Sequence, residues 1–222
     1  LCQRAEHAFA GVPCGIMDML TSAAGQAGHA LLIDCEANEW QAVPVPREVA
    51  IVVFNSNVRH SLAGGEYAKR RASCESAARK LGVPSLRHAD IGMLDDQLTD
   101  DEQSNAKHVI AENKRTLAAA EAMRRGDVSA LGPLLAASHA SLRDDYRVSC
   151  EELDVLVKLT GGEQGVIGAR MTGGGFGGCV VAMVELGADV RVIEAVLSGY
   201  RRCLAKEATA FVVEAVGAAS GV

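Results

Sequence analysis

The residues with the clearest chemical potential form a glycine-rich segment, Gly173-Gly174-Gly175-Phe176-Gly177-Gly178, between two strand-like apolar segments. A two-residue hairpin turn needs only one or two glycines, and each further glycine raises the entropy cost of ordering the loop. Such a loop is useful where backbone N–H groups must approach an anion closely. It lacks the Lys-Ser/Thr ending of a Walker loop and opens no helix, which excludes that motif. A close contact between two backbones is the alternative explanation.

A second candidate is Asp18, in the segment Pro13-Cys14-Gly15-Ile16-Met17-Asp18. It falls in the first turn of a predicted helix, where the helix dipole favours the ionised carboxylate. It also lies on the side of that helix away from the apolar stripe. A carboxylate held there can accept or orient the proton of a hydroxyl group. The alternative is an ordinary helix-start acid that contributes at most about 1 kcal/mol of stability.

Glu6 is the third candidate, one turn before the break Gly11-Val12-Pro13. A lone helical glutamate is usually a solvated surface residue. However, a turn between Glu6 and Asp18 could direct both carboxylates towards one cleft. Hard cations such as Mg²⁺ are typically held by one or two carboxylates together with phosphate oxygens.

Composition narrows the class of protein. The chain has 222 residues, is 49% hydrophobic and 23% charged, and carries a net charge of −6, as expected of a soluble globular protein. Runs of Lys or Arg typical of nucleic-acid binding are absent, and the apolar stretches are too short to cross a bilayer. The seven scattered cysteines form no C-x-x-C pair, which argues against a zinc site or a disulfide framework and favours a cytoplasmic location.

Periodicity predicts the elements that position these residues. Apolar residues at helical spacing predict a core-facing helix over 16–24, followed by strands at 29–34 and 40–45. Pro44 and Pro46 indicate a domain junction, and residues 55–65 are interpreted as a polar connection. Ser149 and Glu152 have the spacing of a capping box. The remaining predicted strands are 49–54, 166–171, 179–185 and 209–216, and the remaining helices are 1–10, about 66–80, 102–125, 127–144, 150–160 and 190–206.

Without the additional helices, the order from residue 49 is strand, helix, strand, strand, helix, strand. This is the split β-α-β order of a ferredoxin-like domain. The predicted class is therefore α+β, with helices covering one face of a mostly antiparallel sheet.

Three segments together resemble the galactokinases of the GHMP kinase superfamily. The segment from Cys2 to Asp18 resembles their central signature, and two further matches are Asn57-Val58-Arg59-His60-Ser61-Leu62 with Glu66-Tyr67, and the segment from Ser138 to Tyr146. The glycine loop resembles the third motif of the superfamily. The resemblance covers essentially the whole chain and implies a truncated GHMP kinase arrangement. Residues 1–46 would be the tail of the N-terminal lobe, and 47–222 the C-terminal lobe with its inserted helices.

The resemblance also implies roles for individual residues. Asp18 matches the base that takes the proton from the C1 hydroxyl of the sugar. Gly15 would offer backbone to the sugar, and Tyr67 matches a tyrosine that hydrogen-bonds a sugar hydroxyl, although on its own it would be read as an ordinary helix residue. Glu6 matches the Mg²⁺-binding glutamate. Gly173, Gly174 and Gly175 would lie near the phosphates of ATP.

Two departures from the family pattern bear on activity. Met19 stands where the family commonly has Gln. The G-E-H-T-D-like sugar clamp and the G-L-x-S-S-S-A-like phosphate loop are missing, and the chain begins inside a predicted helix. We therefore expect residues upstream of Leu1, and we expect this stretch alone to be inactive.

The resemblance leaves three functional readings open. The first is galactokinase, which phosphorylates galactose at C1 with ATP and Mg²⁺. The second is a kinase for galacturonate, arabinose or N-acetylgalactosamine, and the third is a non-catalytic sensor of sugar and ATP. The expected ligands are a small sugar and ATP, with no nucleic-acid or membrane partner and a monomeric state.

Overall fold

The structure is a computed structural model that describes residues 2–5, 8–9, 15–59 and 63–219. For residues 2, 59, 63, 64 and 67 it describes the backbone only.

Groups of strands alternate with groups of helices along the chain. The helices are α1 (Cys2–Ala5), α2 (Met17–Ala24), α3 (Ala63–Lys80), α4 (Asp100–Arg125), α5 (Val128–Asp144), α6 (Glu151–Gly161) and α7 (Asp189–Leu204). The strands are β1 (His29–Asp34), β2 (Glu39–Pro44), β3 (Val49–Arg59), β4 (Val166–Thr172), β5 (Gly177–Glu185) and β6 (Thr209–Val213). Two 3₁₀ turns, Leu86–His88 and Ile91–Met93, connect α3 to α4.

The two sheets differ in size and pairing. β1 and β2 form an antiparallel hairpin of their own, whereas the second sheet has four strands in the order β4-β5-β3-β6. Every pair in the second sheet is antiparallel. The α+β class and the split β-α-β order predicted from the sequence are confirmed.

The main core lies between the four-stranded sheet and helices α6 and α7. Phe54, Met171 and Tyr200 are fully buried in it. A second apolar cluster between α3 and α4 includes Ala77 and Ile110. Because burying apolar surface is the main force that stabilises a fold, these two clusters fix the helices relative to the sheet.

Helix α5 crosses β4 at unusually short range. A Cβ added to Gly168 would lie 3.0 Å from both the Gly132 Cα and a Leu135 methyl carbon. The missing side chains at Gly132 and Gly168 thus let the helix backbone lie against the strand. This contact places the start of α5 beside the strand that leads into the glycine loop.

Three local predictions were wrong in instructive ways. β3 continues to Arg59 instead of ending at Phe54, because its polar end still pairs with β5. No residue of α2 is buried, so its stripe does not face a core within the described residues. Ser149 does not cap α6: its hydroxyl donates to the Asp154 carboxylate, 2.6 Å away, and Cys150 is the N-cap residue.

A capping box is present at the start of α4. The Thr99 hydroxyl accepts a hydrogen bond from the Glu102 N–H, and the Glu102 carboxylate accepts one from the Thr99 N–H at 2.8 Å. Glu102 also accepts from Lys80 of α3 at 2.5 Å. The start of α4 is therefore tied to the end of α3.

None of the described helices is long and apolar enough to cross a membrane. The lobe boundary predicted near residue 46 falls between the hairpin and the four-stranded sheet, and it stays a prediction.

Candidate active site

The glycine loop is the turn between β4 and β5, and Gly175 packs closely against Val148. Gly175 has a φ of 85°, in the left-handed region that other residues rarely adopt. A Cβ placed there would lie 2.8 Å from the Val148 Cβ and would overlap the Val148 carbonyl oxygen. The neighbouring Phe176 N–H donates to that same oxygen at 2.8 Å. Packing against Val148 is therefore sufficient to explain a glycine at position 175.

Gly174 behaves differently. Its φ is not in the left-handed region, and a Cβ added there would meet no atom within 4 Å. Neither backbone conformation nor packing among the described residues requires a glycine at this position. The backbone contact considered from the sequence thus accounts for Gly175 but not for Gly174.

A bulge in β3 holds the other end of the loop. The pairing with β5 shifts between Asn55 and Arg59, so that residues 56–58 lie opposite Gly178 alone. The Ser56 hydroxyl donates to the Gly178 carbonyl at 2.8 Å, and the buried Tyr200 hydroxyl donates to the Ser56 carbonyl at 3.2 Å. Bulges of this kind are frequent next to active sites, where they redirect a strand.

His139 lies beneath the strand that enters the loop. Its Nδ1 accepts a hydrogen bond of 3.4 Å from the Met171 N–H. Its Nε2 lies 3.2 Å from an Asp154 carboxylate oxygen, close enough for an ion pair but not aligned as a hydrogen bond. Burial lowers the pKa of His139 despite the nearby carboxylate. The ring is therefore neutral near pH 7 and acts as an acceptor for β4.

Consecutive backbone carbonyls connect α3 to the glycine loop. The Arg70 Nε donates to the Tyr146 carbonyl at 2.7 Å, and its Nη2 donates to the Arg147 carbonyl at 3.2 Å. The next carbonyl, that of Val148, accepts from Phe176. The segment 146–148 thus fixes the helix that carries Tyr67 relative to the loop. The Tyr67 side chain itself lies outside the described part of the structure.

Asp18 and Gly15 occupy a more open region. Asp18 is exposed in the first turn of α2, as predicted, and the N-cap residue Ile16 makes no side-chain capping bond. The other end of α2 is held by the chain's last described residues: Ala218 donates to the Gly25 carbonyl at 2.7 Å. In the part of the chain that is described, no hydrogen bond or ion pair joins Asp18 or Gly15 to the glycine loop.

The Mg²⁺ prediction falls outside what the structure describes. Glu6 is not among the described residues, and those that are described contain no group of three or more His, Cys, Asp or Glu side chains suited to a metal.

Sequence reasoning missed the residues that hold the loop. Val148, Ser56 and Arg70 were given no role, because each acts through a contact between distant segments. Arg70 and Val148 lie close to the motifs quoted for the family resemblance, and this proximity was the only available signal.

Comparisons with known proteins identify the class. Residues 119–202 match the family described as GHMP kinases C terminal. The chain aligns with the structure of Lactococcus lactis galactokinase complexed with galactose at a TM-score of 0.92 and 33% identity, over 99% of this chain and 59% of that chain. Mevalonate kinase of L. major shares the fold alone, with a TM-score of 0.50, 21% identity, and coverage of 86% of this chain and 50% of that one. The chain carries the C-terminal domain of the GHMP kinases.

Curated relatives narrow the class further. The chain is 52% identical to bovine (Bos taurus) galactokinase over 204 residues, which is 90% of this chain and 52% of the relative. It is 50% identical to the galactokinase of Chloroflexus aurantiacus over 208 residues, 90% of this chain and 53% of the relative. The chain belongs to the galactokinase family and corresponds to the C-terminal part of its members. It spans about half the length of the curated relatives it matches.

Proposed function

We propose that this chain is part of a galactokinase that transfers the γ-phosphoryl group of ATP to the C1 hydroxyl of galactose, forming galactose 1-phosphate. The observation that carries the proposal is the likeness of 99% of the chain to a galactokinase structure that holds galactose. The chain is 52% and 50% identical in sequence to two curated galactokinases, which supports the same activity.

Asp18 is proposed as the base. Its carboxylate is exposed at the start of α2, where it costs the fold little and remains available to a substrate. It would accept the C1 hydroxyl proton as the sugar oxygen forms its bond to the γ-phosphorus and the bond from that phosphorus to the oxygen of ADP breaks. Gly15 backbone and the Tyr67 hydroxyl would hold the sugar in place.

The glycine loop is proposed to lie near the phosphates. Phosphoryl transfer depends mainly on positioning and on neutralising charge. A Cβ at Gly174 would meet open space, and so would one at Gly173, so both positions leave room for a ligand. Gly175 follows them in the loop. The Val148 and Ser56 contacts would keep this backbone fixed before ATP arrives. Glu6 would contribute a carboxylate to Mg²⁺, which neutralises phosphate charge when bound.

The activity is best tested in a longer polypeptide, because the chain spans only about half of its relatives. We define the joined polypeptide as the part of bovine galactokinase that precedes its match to this chain, followed by residues 1–222. We expect ADP release that depends on galactose, together with galactose 1-phosphate as the product. The same assay with galacturonate, arabinose and N-acetylgalactosamine tests the related-sugar alternative. A folded polypeptide that binds galactose and ATP without releasing ADP would instead favour the sensor.

A further inference from the structure

A cavity lies beneath the β1–β2 hairpin, and none of the proposed site residues lines it. Its volume is about 200 Å³, and its walls come from the hairpin, α4, α5 and the β4–β5 pair. Most of the lining is apolar, with Leu31, Val43, Ala119, Leu131 and Met183 among its residues. An apolar cavity of about 150 Å³ is large enough to bind benzene, so this one can take a compact molecule of similar size.

One end of the cavity is charged. Glu112 of α4, Arg115 of α4 and Arg170 of β4 all line it. The Arg115 Nε lies 2.7 Å from one Glu112 carboxylate oxygen, and Arg170 lies 3.2 Å from the other, which also accepts from the Ser138 hydroxyl. Both oxygens of Glu112 are therefore already bonded.

The cluster of Glu112, Arg115 and Arg170 carries two positive charges and one negative charge, which leaves a net charge of one positive. Burial alone would raise the pKa of Glu112, but the hydrogen bonds from Ser138 and Arg115 and the charges of the two arginines hold it below its usual value. Glu112 is thus ionised and offsets one arginine. The nearby His108 adds no charge near pH 7, because burial lowers its pKa to about 4.

One hydrogen-bond donor of this charged cluster has no partner among the described residues. Arg115 Nη2 is buried and has no hydrogen-bond partner among the described residues. A buried donor left unpaired costs about 1–3 kcal/mol, and more when the group is charged. Native structures rarely leave such a group without a water molecule or a ligand.

We propose that this cavity binds a small monocarboxylate with a compact apolar body. The carboxylate would pair with Arg115 and Arg170, and the body would fill the apolar space beneath the hairpin. Arginine is well suited to this role because its planar fork matches a carboxylate. A single negative charge balances the cluster, whereas a phosphate dianion would exceed it and would place its remaining oxygens against apolar walls.

Benzoate is a suitable probe, because it adds one carboxylate to a ring that fits the cavity, and benzamide is its neutral counterpart. Titration calorimetry and the thermal midpoint of the folded 222-residue chain give two independent readings. We expect benzoate to bind at least about tenfold more tightly than benzamide and to raise the midpoint. No binding at millimolar benzoate, or equal affinity for both compounds, would refute the proposal and leave water as the partner of Arg115.

Three variants locate the binding. Arg115→Gln should weaken benzoate binding at least about tenfold, and Ala119→Leu should block the cavity while leaving both arginines in place. Arg125→Gln is the matched control, since Arg125 lies on the same helix, is 61% exposed and does not line the cavity. If Arg115→Gln fails to fold, Ala119→Leu still decides the matter. Benzoate binding that Ala119→Leu leaves unchanged would place the ligand elsewhere and overturn the proposal.

Discussion

The glycine loop and helix α2 carry the two main candidate groups of the proposed kinase, but they are built in opposite ways. The loop is fixed from several sides, by the Val148 carbonyl, by the Ser56 bulge and by the buried Tyr200 beneath that bulge. Helix α2 has no buried residue, and Asp18 has no bonded partner within the described chain.

This difference determines how each group can be tested. In the loop, packing and ligand contact are mixed, so a substitution must be chosen to separate them. In α2, Asp18 is exposed and contributes little to packing. Its replacement should therefore change the rate of phosphoryl transfer without changing the stability of the fold.

Asp18→Asn in the joined polypeptide should lower kcat by at least about 10²-fold, the usual scale for losing a general base. The asparagine keeps the shape of the side chain but cannot accept the hydroxyl proton. Thermal unfolding should change little, because Asp18 is exposed. Steady-state kinetics with galactose and ATP, together with a thermal melt of each protein, measure both effects.

The control for Asp18 is Asp189→Asn, which removes a first-turn carboxylate from α7. It reproduces the lost helix-dipole contribution of up to about 1 kcal/mol without touching the proposed site, so kcat should stay unchanged. Turnover of Asp18→Asn close to that of the unmodified protein would eliminate Asp18 as the base.

Gly175→Ala should destabilise the chain by about 2 kcal/mol or more, through an unfavourable φ and overlap with Val148. Gly174→Ala, one residue away, should leave the stability almost unchanged, because its Cβ meets open space. Urea unfolding of the two variants measures this difference directly.

The activity of Gly174→Ala then separates the two explanations of the loop. If the backbone there approaches the phosphates, the variant in the joined polypeptide should raise KM for ATP or lower kcat despite its normal stability. Normal kinetics in Gly174→Ala would show that the loop serves packing alone.

Two buried histidines, His108 and His139, should make stability depend on pH. Burial lowers the pKa of His108 from about 6.5 to about 4. Below pH 6.5 the unfolded chain gains a proton that the folded chain does not, so stability is lost as the pH falls from about 6.5 towards 4. Between pH 7.5 and 5 we expect a loss on the order of 1–2 kcal/mol from this residue.

The contribution of His108 is isolated by His108→Gln, whose side chain can still reach the Ser141 hydroxyl that lies 3.0 Å from the His108 Nδ1. The free energy of unfolding of this variant should depend less steeply on pH over the same range. His139, which is also neutral and buried, accounts for part of the remaining slope. An identical slope in both proteins would mean that His108 takes up its proton over the same pH range in the folded and unfolded states.

The sequence predicted the elements well because their signals are local. Apolar spacing located α4, α5 and α7, and the glycines marked the β4–β5 turn. The bulge at Ser56 was missed, since polar residues in the middle of a strand resemble a loop until the neighbouring strands are known. The capping box predicted at Ser149 does not form, because the Ser149 hydroxyl donates to the Asp154 carboxylate.

The candidate site was predictable only as far as motifs extend. Asp18 and the glycine loop came from motifs, whereas the support from Val148 and Arg70 depends on segments that are distant in sequence. The charged cavity is a more extreme case: Glu112 and Arg115 lie on α4, but Arg170 reaches them from β4. No spacing rule connects residues that meet only through the packing of a helix against a sheet.

Met19→Gln is expected to have the smallest effect. Met19 follows Asp18 and stands where the galactokinases commonly have Gln, and in the structure it is half-buried on a helix with no buried residue. A glutamine of similar length should fit there with little change in packing, so kcat/KM in the joined polypeptide should change by less than about tenfold, or about 1.4 kcal/mol. Met19→Leu is the matched control, because it keeps the apolar character while changing the shape. If Met19→Gln alone changed kcat/KM by more than tenfold, the side chain at position 19 would contact the substrate or Asp18 directly, and α2 would carry a second functional residue.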